Sequence, residues 1–103
     1  MSDFILACKT TDIPAEGKLS VEVSEHFVVI AHVDGKYYCL DDICTHDGGT
    51  LGDGYLEDYC LVCPRHGAKF DVRNGDAVEM PATEKTGSYE VRVDGDQIFV
   101  RLH

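Results

Sequence analysis

The dipeptides Asp34-Gly35, Asp53-Gly54, Asn74-Gly75 and Asp94-Gly95 punctuate this 103-residue chain. Each pairs a residue that tolerates positive φ with glycine, which adopts it at no steric cost, and such pairs mark tight turns between strands. Short runs rich in β-branched and aromatic residues lie between them, and no window has a convincing helical period. Leu19 to Val23 alternates, with Leu19, Val21 and Val23 on one face. Phe27 to Val33 is almost continuously apolar, as expected of a strand covered on both sides. Asp34-Gly35 then leads into Lys36 to Leu40. Tyr55 to Val62 and Ala68 to Val72 are predicted as one strand each, and Tyr89 to Val93 pairs with Gln97 to Leu102 as a hairpin. Thr11 to Glu16 has room for one helical turn, limited by Pro14. The fold class predicted is all-β: an antiparallel sandwich or small barrel.

The length suits one domain, residues 1–103, with one modest core. No repeat, low-complexity tract or linker divides it. Nineteen acidic side chains against nine basic ones give a formal charge of −10. Such a surface repels phosphate backbones and anionic lipid, so nucleic acid and membrane are poor partners and a basic protein face is a better one. No segment approaches the roughly 20 apolar residues of a membrane span. The apolar run Phe4 to Cys8 is too short for a secretion signal, so a cytoplasmic location is expected. The five cysteines are an odd number and do not suggest a disulfide framework; cysteines near histidines in a reducing compartment suggest metal first.

Two clusters carry that suggestion: Cys44-Thr45-His46, and Cys63-Pro64-Arg65-His66 followed by Gly67, with sixteen residues between His46 and Cys63. Each offers one thiolate and one imidazole just after a predicted strand. Two such loops brought together supply two sulfur and two nitrogen donors. Zinc suits that set in general, although common zinc fingers present a Cys pair and then a His pair. One Cys and one His from each loop also suits a [2Fe–2S] cluster lying between the loops.

At these residues the sequence resembles the Rieske ferredoxins: C-x-H, a spacer of sixteen, then C-P-x-H-G, continued by Phe70 and Asp71. Val33-Asp34-Gly35-Lys36 through Leu40 to Cys44 is similar to the family's hairpin into its first cluster loop. Met80-Pro81-Ala82 is similar to its proline-bearing third loop. The resemblance implies an antiparallel β base carrying a small cluster-binding subdomain, with loops at about residues 43–50 and 62–70. It implies that Cys44 and Cys63 bind one iron and His46 and His66 the other. Neutral imidazole in place of thiolate lowers the negative charge on the cluster and raises its potential relative to an all-cysteine site.

High-potential Rieske proteins of respiratory complexes carry two further cysteines, and the matching positions here are Gly49 and Arg65. They also place hydroxyls near the cluster where this chain has Ala68 and Phe70. Fewer donors leave the reduced cluster less stabilised, so a potential near the low end of the Rieske range, about −150 mV, is expected. By resemblance, the chain takes one electron from an NAD(P)H-dependent flavoprotein reductase and passes it to the terminal oxygenase of a ring-hydroxylating system for aromatic compounds. It is expected to be a monomer making transient contacts, and no enzyme by itself. The small subunit of an NAD(P)H-dependent nitrite reductase is the alternative, with a zinc-stabilised module or a redox sensor behind it.

The remaining chemistry-bearing residues have plainer readings. Cys60 and Cys63 spell C-x-x-C, but on a strand rather than in a βα unit; Cys8, Cys39 and Cys60 are expected to be small buried hydrophobes. His26, His32 and His103 lack cysteine partners and are read as surface or packing residues. Asp41-Asp42 is read as a solvated loop, and Tyr37, Tyr38 and Tyr55 as packing.

Overall fold

The computed structural model describes residues 3–43, 49–64, 67–79 and 85–102. Ten strands form two antiparallel sheets, with no α-helix among the described residues. The larger sheet contains β1 (Ile5–Lys9), β2 (Lys18–Val23), β3 (His26–Val33), β4 (Lys36–Asp41), β9 (Ser88–Asp94) and β10 (Gln97–Arg101) in the order β1-β10-β9-β4-β3-β2. Its outer strands β1 and β2 approach each other, so the sheet is a nearly closed barrel. The smaller sheet runs in chain order: β5 (Tyr55–Glu57), β6 (Cys60–Val62), β7 (Lys69–Asp71) and β8 (Ala77–Glu79). The all-β expectation, a barrel base with a smaller attached subdomain, therefore holds.

Two cores follow from the alternation along β3. Val28 and Ile30 enter the barrel with Ile13, Val23, Cys39, Ile98 and Val100. Val29, Ala31 and Val33 face the other way, against Leu51, Leu61, Phe70 and Val72 beneath the small sheet. Hence the nearly continuous apolar run of this strand, interrupted by His32 alone: it is the wall shared by both cores.

The turns hold the register. The pairings Val23↔His26 and Val33↔Lys36 leave two-residue connections at Ser24-Glu25 and Asp34-Gly35, all at positive φ (52°, 65°, 53° and 76°). This is the turn geometry whose twist matches that of the flanking strands. In the last hairpin the pairing Asp94↔Gln97 moves the turn one residue beyond the expected dipeptide, to Gly95-Asp96. The single strand expected over 55–62 is two strands. Asp58 turns the chain back at φ 55°, and Glu57 pairs with Cys60. Strands β1 and β8 were not anticipated. Thr10–Asp12 forms the one short turn of 3-10 helix that Thr11 to Glu16 had room for, and a second lies at Leu51–Asp53.

Candidate metal centre

The second cysteine–histidine loop is the connection between β6 and β7. Val62 pairs with Lys69, the Cys63 amide donates to the Ala68 carbonyl at 2.7 Å, and the Gly67 amide donates to the Cys63 carbonyl at 3.0 Å. These bonds close a tight loop in which Gly67 sits at φ 75°, a left-handed conformation that a residue without Cβ takes freely. Cys63 is 1% exposed and packs with Leu51, Ala68 and Phe70. Arg65 and His66 lie outside the described residues.

The first loop is fixed at both stems. At its entry, Asp41 at the end of β4 and Asp42 just after it are hydrogen-bonded rather than merely solvated. Asp41 accepts from the Tyr89 hydroxyl at 2.6 Å and lies 2.6 Å from His26 Nε2, while Asp42 accepts from the Gly52 amide at 2.6 Å. The Ile43 carbonyl accepts from the Thr86 hydroxyl at 3.3 Å. Thr86 is 2% exposed, and its amide donates to the Gly75 carbonyl at 2.9 Å. Thr86, which carries no sequence motif, thus joins three segments through its side chain and its amide: the first loop's entry, the turn after β7, and the chain that leads into β9. At the exit, Leu51 is fully buried against the same core as Cys63. Cys44 and His46 lie outside the described residues, as do Met80, Pro81 and Ala82 of the expected third loop.

The two stems touch. Gly54 ends the 3-10 turn by which the first loop leaves, and a Cβ there would overlap the Val62 carbonyl oxygen and crowd Pro64 Cδ at 3.2 Å. The chain leaving the first loop is therefore pressed against the strand end that carries Cys63. A buried cysteine in an apolar setting, with the stem of a second Cys–His loop against its own, fits an S₂N₂-ligated centre shared by two loops. Among the described residues no group of three or more His, Cys, Asp and Glu side chains gathers as a metal site.

Of the cysteines expected to be small buried hydrophobes, Cys39 is buried, whereas Cys8 and Cys60 are half-buried. Burial pushes the Cys39 thiol up to about 12, with Asp41 adding to it, and burial also raises Cys8 and Cys60. A raised thiol is the opposite of an activated one. His32 stacks on Tyr37 at 4.1 Å between ring centres, a packing role; His103 lies outside the described residues. Tyr38 meets Tyr59 edge to face. Tyr55 is 56% exposed, not packed as expected, because it lies on the outer strand of the small sheet.

Residues 3–90 match the family model of the Rieske [2Fe-2S] domain. The chain is 36% identical over 99 residues to the 3-phenylpropionate/cinnamic acid dioxygenase ferredoxin subunit of Escherichia coli strain K12, covering 95% of this chain and 92% of that protein. The ferredoxin of carbazole 1,9a-dioxygenase from Nocardioides aromaticivorans IC177 superposes with a TM-score of 0.91 at 24% identity, over 96% of this chain and 97% of that one. A chain from a solved complex of reduced oxygenase and oxidized ferredoxin in carbazole 1,9a-dioxygenase superposes with a TM-score of 0.88 at 26% identity, over 98% of this chain and 94% of that one.

Proposed function

Because the chain belongs to the Rieske [2Fe-2S] domain family, we propose that it is a low-potential ferredoxin. In this reading it carries single electrons from an NAD(P)H-dependent flavoprotein reductase to a terminal ring-hydroxylating oxygenase, working as one monomeric domain. Its cofactor is one Rieske-type [2Fe–2S] cluster, not zinc. When bound, that cluster supplies a reversible one-electron couple. Cys44 and Cys63 would hold one iron and His46 and His66 the other. The observation that carries the reading is the packing of the first loop's exit turn directly against the stem that bears the buried Cys63.

The chain's own residues supply the setting. Leu51, Ala68 and Phe70 exclude water around Cys63. The Cys63–Ala68 and Gly67–Cys63 backbone bonds tie the two stems of the second loop together. Ala68 and Phe70 are fully buried and carry no hydroxyl, which supports a potential near the low end of the Rieske range, about −150 mV. The formal charge of −10 favours docking on basic faces of both partners and brief contacts. No helix among the described residues is long and apolar enough to cross a membrane. The nitrite-reductase alternative gains no support, since the relatives reported above are ferredoxins of dioxygenase systems.

The test is electron delivery in a reconstituted chain. Cluster-loaded protein reduced by the flavoprotein reductase and NADH should reoxidise on mixing with the terminal oxygenase, more slowly at high salt than at low. A loaded protein that the reductase reduces but the oxygenase never reoxidises overturns the function. Rates independent of ionic strength overturn the steering by charge.

A further inference from the structure

The outer row of β3 is Phe27, Val29, Ala31 and Val33, all on one face by strand alternation. The last three are sealed beneath the small sheet, at 0%, 1% and 3% exposure. Phe27 continues the same row past the edge of that cover and is 65% exposed. Its carbonyl accepts from the Asp42 amide at 3.1 Å, which pins it beside the entry of the first cluster loop. There Ile43, the residue before Cys44, is 43% exposed. Phe27 and Ile43 line one shallow open depression together with Glu25, His26, Asp41 and Asp42. Glu22, the cross-strand partner of Phe27, is exposed on the same side.

A lone exposed aromatic is ordinary on a protein surface. This one differs in three respects: it extends a buried apolar row, it lines one depression with a second apolar side chain, and a backbone bond to Asp42 holds it at the entry of a cluster loop. Four carboxylates, Glu22, Glu25, Asp41 and Asp42, surround the pair, and among the described residues no Lys or Arg lines the depression. An apolar centre inside a charged rim is the anatomy of a protein contact surface rather than of a small-molecule pocket. The rim fixes the sign of the partner: an apolar side chain flanked by Lys or Arg.

We propose that Phe27 and Ile43 form an anchor for the terminal oxygenase, which seats an apolar side chain between them while its basic residues meet Glu22, Glu25 and Asp42. The proposal rests on the electron-carrier function above, and it commits to the oxygenase because a chain of this fold is seen in complex with one. The anchor lies at the entry of the first cluster loop, so it sets the rotational orientation in which the oxygenase approaches.

The test uses full-length, cluster-loaded protein with the terminal oxygenase from the organism that supplies the chain. Phe27→Ser should raise the KM for ferredoxin in oxygenase turnover about tenfold, in the range of a hot-spot truncation. The kcat should stay within twofold, and neither the EPR spectrum nor the rate of reduction by the flavoprotein reductase should change. Glu22→Lys should raise the same KM and flatten its dependence on salt. A KM within twofold of wild type for both variants overturns the anchor. Equal losses towards reductase and oxygenase overturn its assignment to the oxygenase. A wild-type protein that delivers no electron to the oxygenase overturns the function itself, and is recognised before any variant is compared.

Discussion

Asp71→Asn probes how the chain is held as it leaves the second cluster loop. Asp71 ends β7, and its side chain is 12% exposed. One carboxylate oxygen accepts from the Arg73 amide at 2.9 Å and from Arg73 Nε at 3.0 Å; the other accepts from Arg73 Nη2 at 2.8 Å. The guanidinium also lies 4.3 Å from the centre of the Tyr59 ring. Asparagine keeps one acceptor but turns an NH₂ group towards Nη2, donor against donor, and removes the charge. Charge-assisted hydrogen bonds contribute about 1.5–3 kcal/mol each. Arg73 is half exposed and recovers water, so solvent screening cuts the net loss to about 1 kcal/mol. For a chain of this size that lowers the unfolding midpoint by roughly 5 °C. The Arg73 side-chain hydrogen bonds, with its amide adding to them, hold the Asp71 carboxyl below the usual carboxylate range. The unfolded chain therefore takes up the proton first on acidification. The contribution is complete above about pH 5 and is lost as the pH falls below about 4. Melts followed by circular dichroism at one scan rate should show a constant gap between wild type and variant from pH 7 to 5, narrowing below 4. No gap at pH 7, or a gap that closes between pH 7 and 6, would refute the reasoning.

Three further outcomes are expected. Gly75→Ala should cost about 1–3 kcal/mol, because Gly75 holds φ 81° and an added Cβ overlaps the Thr86 carbonyl; a denaturant melt measures it. Thr86→Val keeps the shape but removes the bond to the Ile43 carbonyl, so it should cost about 1 kcal/mol and hasten the loss of visible absorbance on dilution into chelator. Ala68→Ser should raise the midpoint potential by roughly 40 mV, the one-electron equivalent of a hydrogen bond worth about 1 kcal/mol, read by potentiometric titration.

The readable part of this fold is the part written in local patterns. Strands β2, β3, β4, β9 and β10 follow from alternation and Asp-Gly turns, and the double burial of β3 follows from its nearly continuous apolar run. The turn at Asp58-Tyr59 was hidden because the left-handed position is held by Asp rather than Gly. β1 was missed because its apolar residues are only partly covered: Leu6 is 51% exposed. The Cys–His motifs point to the two loops, and the structure brings their stems together at Gly54 and Val62. What clamps those stems left no local trace. Thr86 reaches Ile43 across 43 residues, and Tyr89 reaches Asp41 across 48. Such contacts form only when distant strands pair, so no short motif records them. That is also why Asp41-Asp42 reads as a solvated run in the sequence while both carboxylates are bound in the fold.

The ligand assignment is tested most directly by pulsed EPR of the dithionite-reduced protein, prepared with and without ¹⁵N-labelled histidine. Two inequivalent nitrogen couplings that shift with the label, and a cluster that fails to assemble in Cys44→Ser and in Cys63→Ser, are the expected result. A reduced signal with no histidine nitrogen coupling, or a full visible spectrum in either cysteine variant, would contradict the assignment of Cys44, His46, Cys63 and His66.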